Sequence, residues 1–249
     1  MANDALVTLT VERGCATISL DSPSTRNVLS PAMLRELEHA LRRAEHEARV
    51  IVLTHTGTVF CAGLDLASAV ENKPDLSGLA SLIERLRSVS QPTVARIAGA
   101  VRAGGIALAA ACDLVVIAPS VSFAFTEVNI GAVPALVSSP VLRRVAPSRM
   151  VEAFLTGRIL SADEALSLGL VNAVHVDPQT HTHEIVQRML AAAPQALATT
   201  TALLRAAVDG RHATLAELRH MSELAFASAE ATEGMRAFLE KRAPSWRSN

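Results

Sequence analysis

The feature that most constrains the fold is an alternation of short strand-like runs with segments of helical periodicity. Residues 50–54 and 113–118 are continuous apolar runs, typical of strands that are buried on both faces, and residues 93–97 predict a further strand. Helical patterns lie between them, one starting at Ser30–Pro31 and one over residues 79–89. Strands that alternate with helices in this way predict an α/β architecture.

The two ends of the chain extend this plan. Residues 7–11 and 16–20 are β-branched runs joined around Arg13 and Gly14, which predicts a hairpin. After Pro140 the pattern is nearly all helical, apart from a last candidate strand over residues 171–176. We therefore expect an α/β core over residues 1–193 and a helical region over residues 194–249.

Composition excludes several classes of function. The net charge is −1 and only 3% of residues are aromatic, so neither a basic field nor stacking platforms exist for a nucleic acid. The most apolar stretch, residues 103–119, is interrupted by Asp113 and is shorter than the ~20 residues of a membrane span. Residues 1–10 lack the basic and apolar blocks of a secretory signal. We expect a cytoplasmic protein with no membrane partner.

The cysteines and histidines predict no metal site. Cys15, Cys61 and Cys112 are odd in number and scattered, which favours thiols in a reducing compartment over a disulfide framework. His181 and His183 alternate on a predicted helix, and side chains at that spacing diverge.

Three segments carry residues suited to chemistry. In residues 60–66, FCAGLDL, Gly63 permits a tight turn that could leave the amide of Leu64 without an internal partner. In residues 98–113, AGAVRAGGIALAAACD, the amide of Gly104 would lie at a helix N-terminus, which favours negative charge. In residues 123–134, FAFTEVNIGAVP, Glu127 follows an apolar strand, and a carboxyl in apolar surroundings has a raised pKa.

In this order and spacing, the three segments resemble the signature of the crotonase (enoyl-CoA hydratase/isomerase) superfamily. The resemblance extends to LTGRILSADEALSLGLVNAV (residues 155–174) and to EGMRAFLEKR (residues 233–242). It implies a crotonase-like spiral of ββα units with a C-terminal helical oligomerisation region. It also implies a homotrimer or hexamer, acting on an acyl-CoA substrate in fatty acid metabolism.

The resemblance assigns roles to particular residues. The amides of Leu64 and Gly104 would hold the thioester oxygen, and Glu127 would be the acid/base. Coenzyme A would enter as part of the substrate, with no other cofactor. Its binding would involve Arg26 and the loop residues Ala62, Leu64, Asp65 and Leu66, together with Phe238 and Lys241 from a neighbouring subunit.

One position departs from the pattern of the two-glutamate hydratases. Their first catalytic glutamate lies three residues after the amide-donating glycine, and Ala107 occupies that position here. An enoyl-CoA hydratase is the leading interpretation, since some relatives that hydrate branched enoyl-CoAs have a small residue at this site. The alternatives are a delta-3 to delta-2 enoyl-CoA isomerase, which needs one carboxylate, and an acyl-CoA-binding homologue without hydratase activity. The dienoyl-CoA isomerases fit less well, because Ala135 occupies the position of their aspartate.

Overall fold

The computed structural model describes residues 5–71 and 75–247, without the side chains of residues 68 and 71. The strands are β1 (Val7–Glu12), β2 (Cys15–Leu20), β3 (Val50–His55), β4 (Val59–Cys61), β5 (Thr93–Ile97), β6 (Ala100–Arg102), β7 (Leu114–Ile117), β8 (Phe123–Ala124) and β9 (Ala173–Val174). The helices are α1 (Pro31–Glu47), α2 (Leu66–Glu71), α3 (Ser77–Ser88), α4 (Gly104–Ala111), α5 (Ala135–Arg144), α6 (Pro147–Thr156), α7 (Ala162–Leu168), α8 (Pro178–Ala191), α9 (Pro194–Val208), α10 (Leu215–Phe226) and α11 (Ala229–Leu239). Short 3-10 helices cover Pro23–Thr25, Thr126–Ile130 and Ser245–Arg247.

The strands form two sheets, and from β3 onwards successive strands of the chain alternate between them. The larger sheet has the order β1-β2-β3-β5-β7-β9 and is parallel except for the β1–β2 hairpin. The smaller sheet, β4-β6-β8, is parallel throughout. Each repeat sends one strand to the large sheet, the next to the small sheet, and then a helical segment across them. This is the predicted spiral of ββα units.

Local sequence signals explain several element ends. The Ser30 side chain accepts a hydrogen bond from the amide of Met33, and Pro31 is in the first turn of α1. Ser161 and Glu164 form a capping box at the start of α7, and Gly169 ends that helix in the left-handed conformation. The helix start predicted at Ser30–Pro31 is confirmed.

The large sheet separates two apolar layers because its side chains alternate between faces. Ile51 and Leu53 of β3 point into the main core, which α1, α3 and α4 complete. Val50 and Val52 point to the opposite face and pack with Val186 of α8 in a smaller core. A run that is apolar at every position is therefore required for a strand covered on both sides.

Three predicted elements differ from the structure. The short strand β4 was not anticipated, because a run of three residues shows no measurable periodicity, whereas β6 lies where a strand was expected ahead of the glycine pair. Residues 67–79, predicted as a loop, include most of α2 and the start of α3, and residues 72–74 lie outside the described part of the chain. The last strand, predicted over residues 171–176, covers only Ala173–Val174.

The region predicted as a separate helical unit, residues 194–249, forms α9, α10, α11 and the final 3-10 helix, with residues 248–249 outside the description. It packs sparsely: no residue of α10 is buried, and α11 buries only Ala237. The boundary at residue 193 stays a prediction. Among the described helices, none is long and apolar enough to cross a membrane.

Candidate active site

The small sheet brings the three predicted segments to one edge. The 62–66 loop follows β4, α4 follows β6, and the 3-10 helix containing Glu127 follows β8. Because these neighbouring strands are parallel, their carboxyl ends meet on the same side of the sheet. Ligands of α/β proteins commonly bind outside the carboxyl ends of parallel strands.

The loop after β4 is held by backbone hydrogen bonds that leave the amide of Leu64 unused. Leu29 and Leu64 form an isolated parallel bridge, in which the Leu29 amide donates to the Gly63 carbonyl at 2.8 Å. Gly63 has φ +95°, a conformation that favours glycine, and its own amide donates to the Cys61 sulfur at 3.4 Å. Within the described part of the chain, no hydrogen bond is donated by the Leu64 amide. It is therefore available to a ligand.

The first turn of α4 is strained and tightly packed. Ala103, the N-cap, has φ 46° and ψ −122°, a combination that L-residues rarely adopt and that costs about 1–3 kcal/mol. A Cβ added to Gly104 would lie 3.0 Å from Leu29 Cδ1, and one added to Gly105 would lie 2.6 Å from the Cβ of Cys61. The glycine pair is therefore needed for the approach of the helix to the loop. As the first residue of α4, Gly104 has no intrahelical partner for its amide, and the described residues supply no other acceptor.

The two candidate donors are close in space. A Cβ built on Gly63 would lie 2.9 Å from the Ala103 Cβ and 3.9 Å from the Gly104 nitrogen. The loop after β4 and the N-terminus of α4 are thus in direct contact. The loop that contains Leu64 therefore lies against the helix start that contains Gly104, and their assignment to an oxyanion hole stays a prediction.

Glu127 lies in the 3-10 helix that follows β8, next along the same sheet edge. The strand pair β6–β8 is extended by a hydrogen bond from the Ala103 amide to the Ala124 carbonyl at 3.2 Å, which ties the start of α4 to this segment. The carboxyl is half-buried, and its Oε2 atom is fully buried without a hydrogen-bond partner among the described residues. Burial raises the pKa of Glu127 above its ordinary value, against a smaller opposing effect of its own backbone amide. A carboxyl whose pKa is raised in this way is suited to act as a general acid or base.

Helix α4 contributes no second carboxylate. Ala107 is completely buried, and the helix sequence GGIALAAA consists of small and apolar residues. The structure therefore agrees with the sequence: alanine stands where the two-glutamate hydratases have their first glutamate, and no other residue of α4 supplies a carboxylate.

The structure also places the residues predicted to bind coenzyme A. The exposed Arg26 is next to the 62–66 loop, because its carbonyl accepts the Ala62 amide at 3.1 Å. Ala62 and Asp65 are half-buried, and Leu66 is exposed at the start of α2. By contrast, Phe238 and Lys241 are exposed at the end of α11 and make no described hydrogen bond or ion pair with this loop.

Asn27 is a supporting residue that sequence analysis missed. It is completely buried with φ 53°; its Nδ2 donates to the carbonyls of Thr56 and Val59, and its Oδ1 accepts the Ser22 amide. It therefore fixes Arg26 and Leu29 against β4. The available signal was an asparagine in a Ser- and Pro-rich turn, since Asn tolerates the left-handed conformation.

The cysteine and histidine side chains of the described residues lie apart from one another, except for one stacked histidine pair. The described residues contain no group of three or more His, Cys, Asp or Glu side chains that could hold an ion. The three cysteines are free thiols; Cys61 and Cys112 are buried, and burial raises the pKa of each to about 12. His181 stacks on His175 with ring centroids 4.9 Å apart.

Comparison with known proteins gives one consistent result. The model of the enoyl-CoA hydratase/isomerase family matches residues 10–249. A Thermus thermophilus protein provisionally named an enoyl-CoA hydratase is 39% identical, over 94% of this chain and 98% of its own. The carnitinyl-CoA dehydratase of Salmonella typhi is 34% identical over 92% of this chain and 94% of its own. The crystal structure of an enoyl-CoA hydratase from Mycobacterium smegmatis superimposes with a TM-score of 0.89 at 29% identity, covering 98% of this chain and 99% of that one.

The ββα spiral places one half-buried carboxyl at a single sheet edge, with two amides that have no hydrogen-bond partner among the described residues, and this arrangement agrees with these similarities. The chain belongs to the enoyl-CoA hydratase/isomerase family of the crotonase superfamily.

Proposed function

We propose that this acyl-CoA enzyme hydrates an enoyl-CoA thioester through an enolate. The observation that carries the proposal is the buried, unpartnered Oε2 of Glu127, on the sheet edge where the amides of Leu64 and Gly104 are also free. The names of the similar proteins support it, because hydratases and a dehydratase catalyse the same kind of step in opposite directions.

In the proposed reaction the site has two functions, stabilising the charge on the thioester oxygen and transferring a proton. The Leu64 and Gly104 amides donate to the thioester oxygen and stabilise the negative charge that develops there, which is often the largest single contribution to catalysis. Glu127 takes a proton from water as the hydroxyl adds to the β-carbon, and the resulting enolate then receives that proton at the α-carbon. The raised pKa of Glu127 suits it to both halves of the transfer. No further cofactor is needed in this scheme.

A second function is favoured by one observation, the alanine at position 107. In a delta-3 to delta-2 enoyl-CoA isomerase, Glu127 alone would take a proton from the α-carbon and return it to the γ-carbon. No water and no second carboxylate are required. The same alanine also allows a homologue that binds acyl-CoA without hydrating it.

Turnover assays with two substrates separate these functions. Hydration of crotonyl-CoA removes the double bond that is conjugated with the thioester, so the absorbance of the enoyl thioester falls. Isomerisation of a 3-enoyl-CoA moves its double bond into conjugation, so the absorbance rises. We expect loss of absorbance with crotonyl-CoA. Gain of absorbance with the 3-enoyl-CoA alone would favour the isomerase, and binding of both without turnover would favour the non-hydrating homologue.

A further inference from the structure

A second cavity of about 620 Å³ lies on the opposite face of the large sheet from α4. Its floor is formed by side chains of β1, β2, β3 and β5, and its wall by α8. We call it the α8 cavity. The side chains that face it, such as Cys15, alternate with those that enter the main core, such as Ala16. The large sheet therefore separates the α8 cavity from the candidate active site.

Arg96 of β5 lines this cavity, and it forms no ion pair within the described part of the chain, although the carboxylate of Asp177 is close enough to act on its charge. Its Nε donates to the Thr54 hydroxyl at 3.2 Å, and that hydroxyl donates to the Arg96 carbonyl at 3.0 Å, which fixes the side chain. Its two terminal nitrogens have no partner among the described hydrogen bonds and ion pairs. Burial lowers the pKa of the Arg96 guanidinium, an effect opposed by Cys15 and Asp177.

The rest of the lining does not neutralise this charge. Arg13 and Glu12 are exposed at the rim and offset each other, so the cavity retains the charge of Arg96. Asp177 is engaged in capping α8, where it accepts the Thr180 amide at 3.0 Å. The first turn of α8 also faces the cavity through Gln179 and Thr180, and helix N-termini favour negative charge.

An independent feature of the wall is an unsatisfied hydroxyl. Thr182 lines the cavity, is 2% exposed, and its Oγ1 has no hydrogen-bond partner among the described residues. Buried polar atoms are almost always satisfied, and leaving one unpaired costs about 1–3 kcal/mol. Because this oxygen is closed to solvent, a ligand in the cavity can reach it only after the Thr182 side chain rotates towards the cavity.

We propose that the α8 cavity binds a small oxyanion, a carboxylate or phosphate group, on the guanidinium of Arg96. A guanidinium presents paired donors that match two oxygens of either group. The volume lies within the range of small-molecule sites, about 300–1,000 Å³, and exceeds what one such group fills. The oxyanion therefore belongs to a small polar molecule whose body contacts the threonine and glutamine side chains of the lining.

Calorimetric titration with inorganic phosphate, and in a second arm with acetate, tests the proposal. Both titrations are made at fixed ionic strength with saturating coenzyme A present, so that any phosphate affinity of the acyl-CoA site is already blocked. We expect saturable binding, weakened at least about tenfold in Arg96→Gln, because hydrogen bonds to a charged donor are lost. Arg42→Gln removes an exposed arginine of α1 and should bind as the wild type does. The two arms show whether phosphate or carboxylate is preferred.

A second variant keeps the test decisive if Arg96→Gln does not fold. Thr17→Glu places a carboxylate on the cavity floor at a half-buried position, where it would pair with Arg96 and exclude an anion. We expect it to abolish binding of both probes. The proposal is overturned if the wild type shows no saturable binding in the presence of coenzyme A, or if a folded variant of Arg96 or Thr17 binds with wild-type affinity.

Discussion

At the scale of single residues, the burial of Glu127 makes a prediction about stability. Because burial raises the pKa of this carboxyl in the folded state, the folded protein keeps the proton at pH values where the unfolded chain has lost it. Ionised Glu127 therefore destabilises the fold above the raised pKa, and the penalty disappears as the pH falls below the ordinary value.

We expect Glu127→Gln to unfold at higher urea concentration than the wild type at pH 8. The difference should narrow as the pH is lowered through the raised pKa, since glutamine mimics the protonated form. Glu84→Gln, at an exposed position of α3, controls for the loss of a surface carboxylate. A pH-independent difference would show that burial does not shift the titration of Glu127.

Gly63 makes a second prediction at this scale. An alanine there would combine φ +95° with a Cβ only 2.9 Å from the Ala103 Cβ, so either the loop or α4 must shift. We expect Gly63→Ala to lower the free energy of unfolding by about 1–3 kcal/mol more than Gly210→Ala, as overpacking typically does. Gly210 has a similar φ of +71° with nothing within 4 Å of an added Cβ. Equal losses in urea melts would mean that only the backbone conformation matters at Gly63.

Most of the candidate site could be predicted at residue scale because its parts are encoded locally. Gly63, Gly104 and Glu127 each follow a strand, and their spacing matches one family. Asn27 could not be predicted in the same way. Its role depends on the carbonyls of Thr56 and Val59, about 30 residues away, which only the folded chain brings within hydrogen-bonding distance.

At the scale of elements, the N-terminus of α4 is the feature with a direct test. Gly104→Pro removes the proposed amide donor, whereas Gly104→Ala keeps the N–H and adds the same Cβ beside Leu29 and Leu79. We expect turnover in the proline variant to be about 10²–10³-fold lower than in the alanine variant, the usual effect of losing one oxyanion-hole donor. Proline also restricts the preceding residue, so circular dichroism must first show that both variants are folded. Equal turnover would exclude the Gly104 amide from the hole.

Long helices and strands could be predicted from the sequence more completely than short ones. Long periodic segments such as α1 and buried runs such as β3 were anticipated, since many residues contribute to each signal. The strand β4 was not, because its three residues pair through backbone atoms whose partners in β6 are distant in sequence. The short strands form the small sheet that positions the site. The reactive residues could therefore be predicted from the sequence more completely than the sheet that supports them.

At the scale of the whole molecule, the C-terminal helices carry exposed apolar side chains, and assembly into a trimer or hexamer stays a prediction. On α10, Leu215, Leu224 and Phe226 are 61–83% exposed, and Phe238 at the end of α11 is 82% exposed. Apolar surface of this extent on a soluble protein commonly marks an interface. Phe238 and Lys241 could then complete the coenzyme A site of a neighbouring subunit.

Sedimentation at micromolar concentration should therefore show a trimer or hexamer. Leu224→Glu should shift it towards monomer and weaken coenzyme A binding, because a charge would be buried in the contact. Ala216→Glu adds the same charge on another face of α10 and should leave the assembly unchanged. A monomeric wild-type protein would contradict the predicted assembly.

The central claim is that Glu127 is the one carboxylate that moves the proton of an acyl-CoA substrate. The most direct measurement is the turnover number of Glu127→Gln on the substrate that the wild type converts, together with its affinity for coenzyme A. Glutamine keeps the shape and hydrogen bonding of the side chain but cannot carry a proton at neutral pH. We predict a loss of turnover of about 10²–10⁴-fold with nearly unchanged affinity. A folded variant that turns over at the wild-type rate would contradict the account.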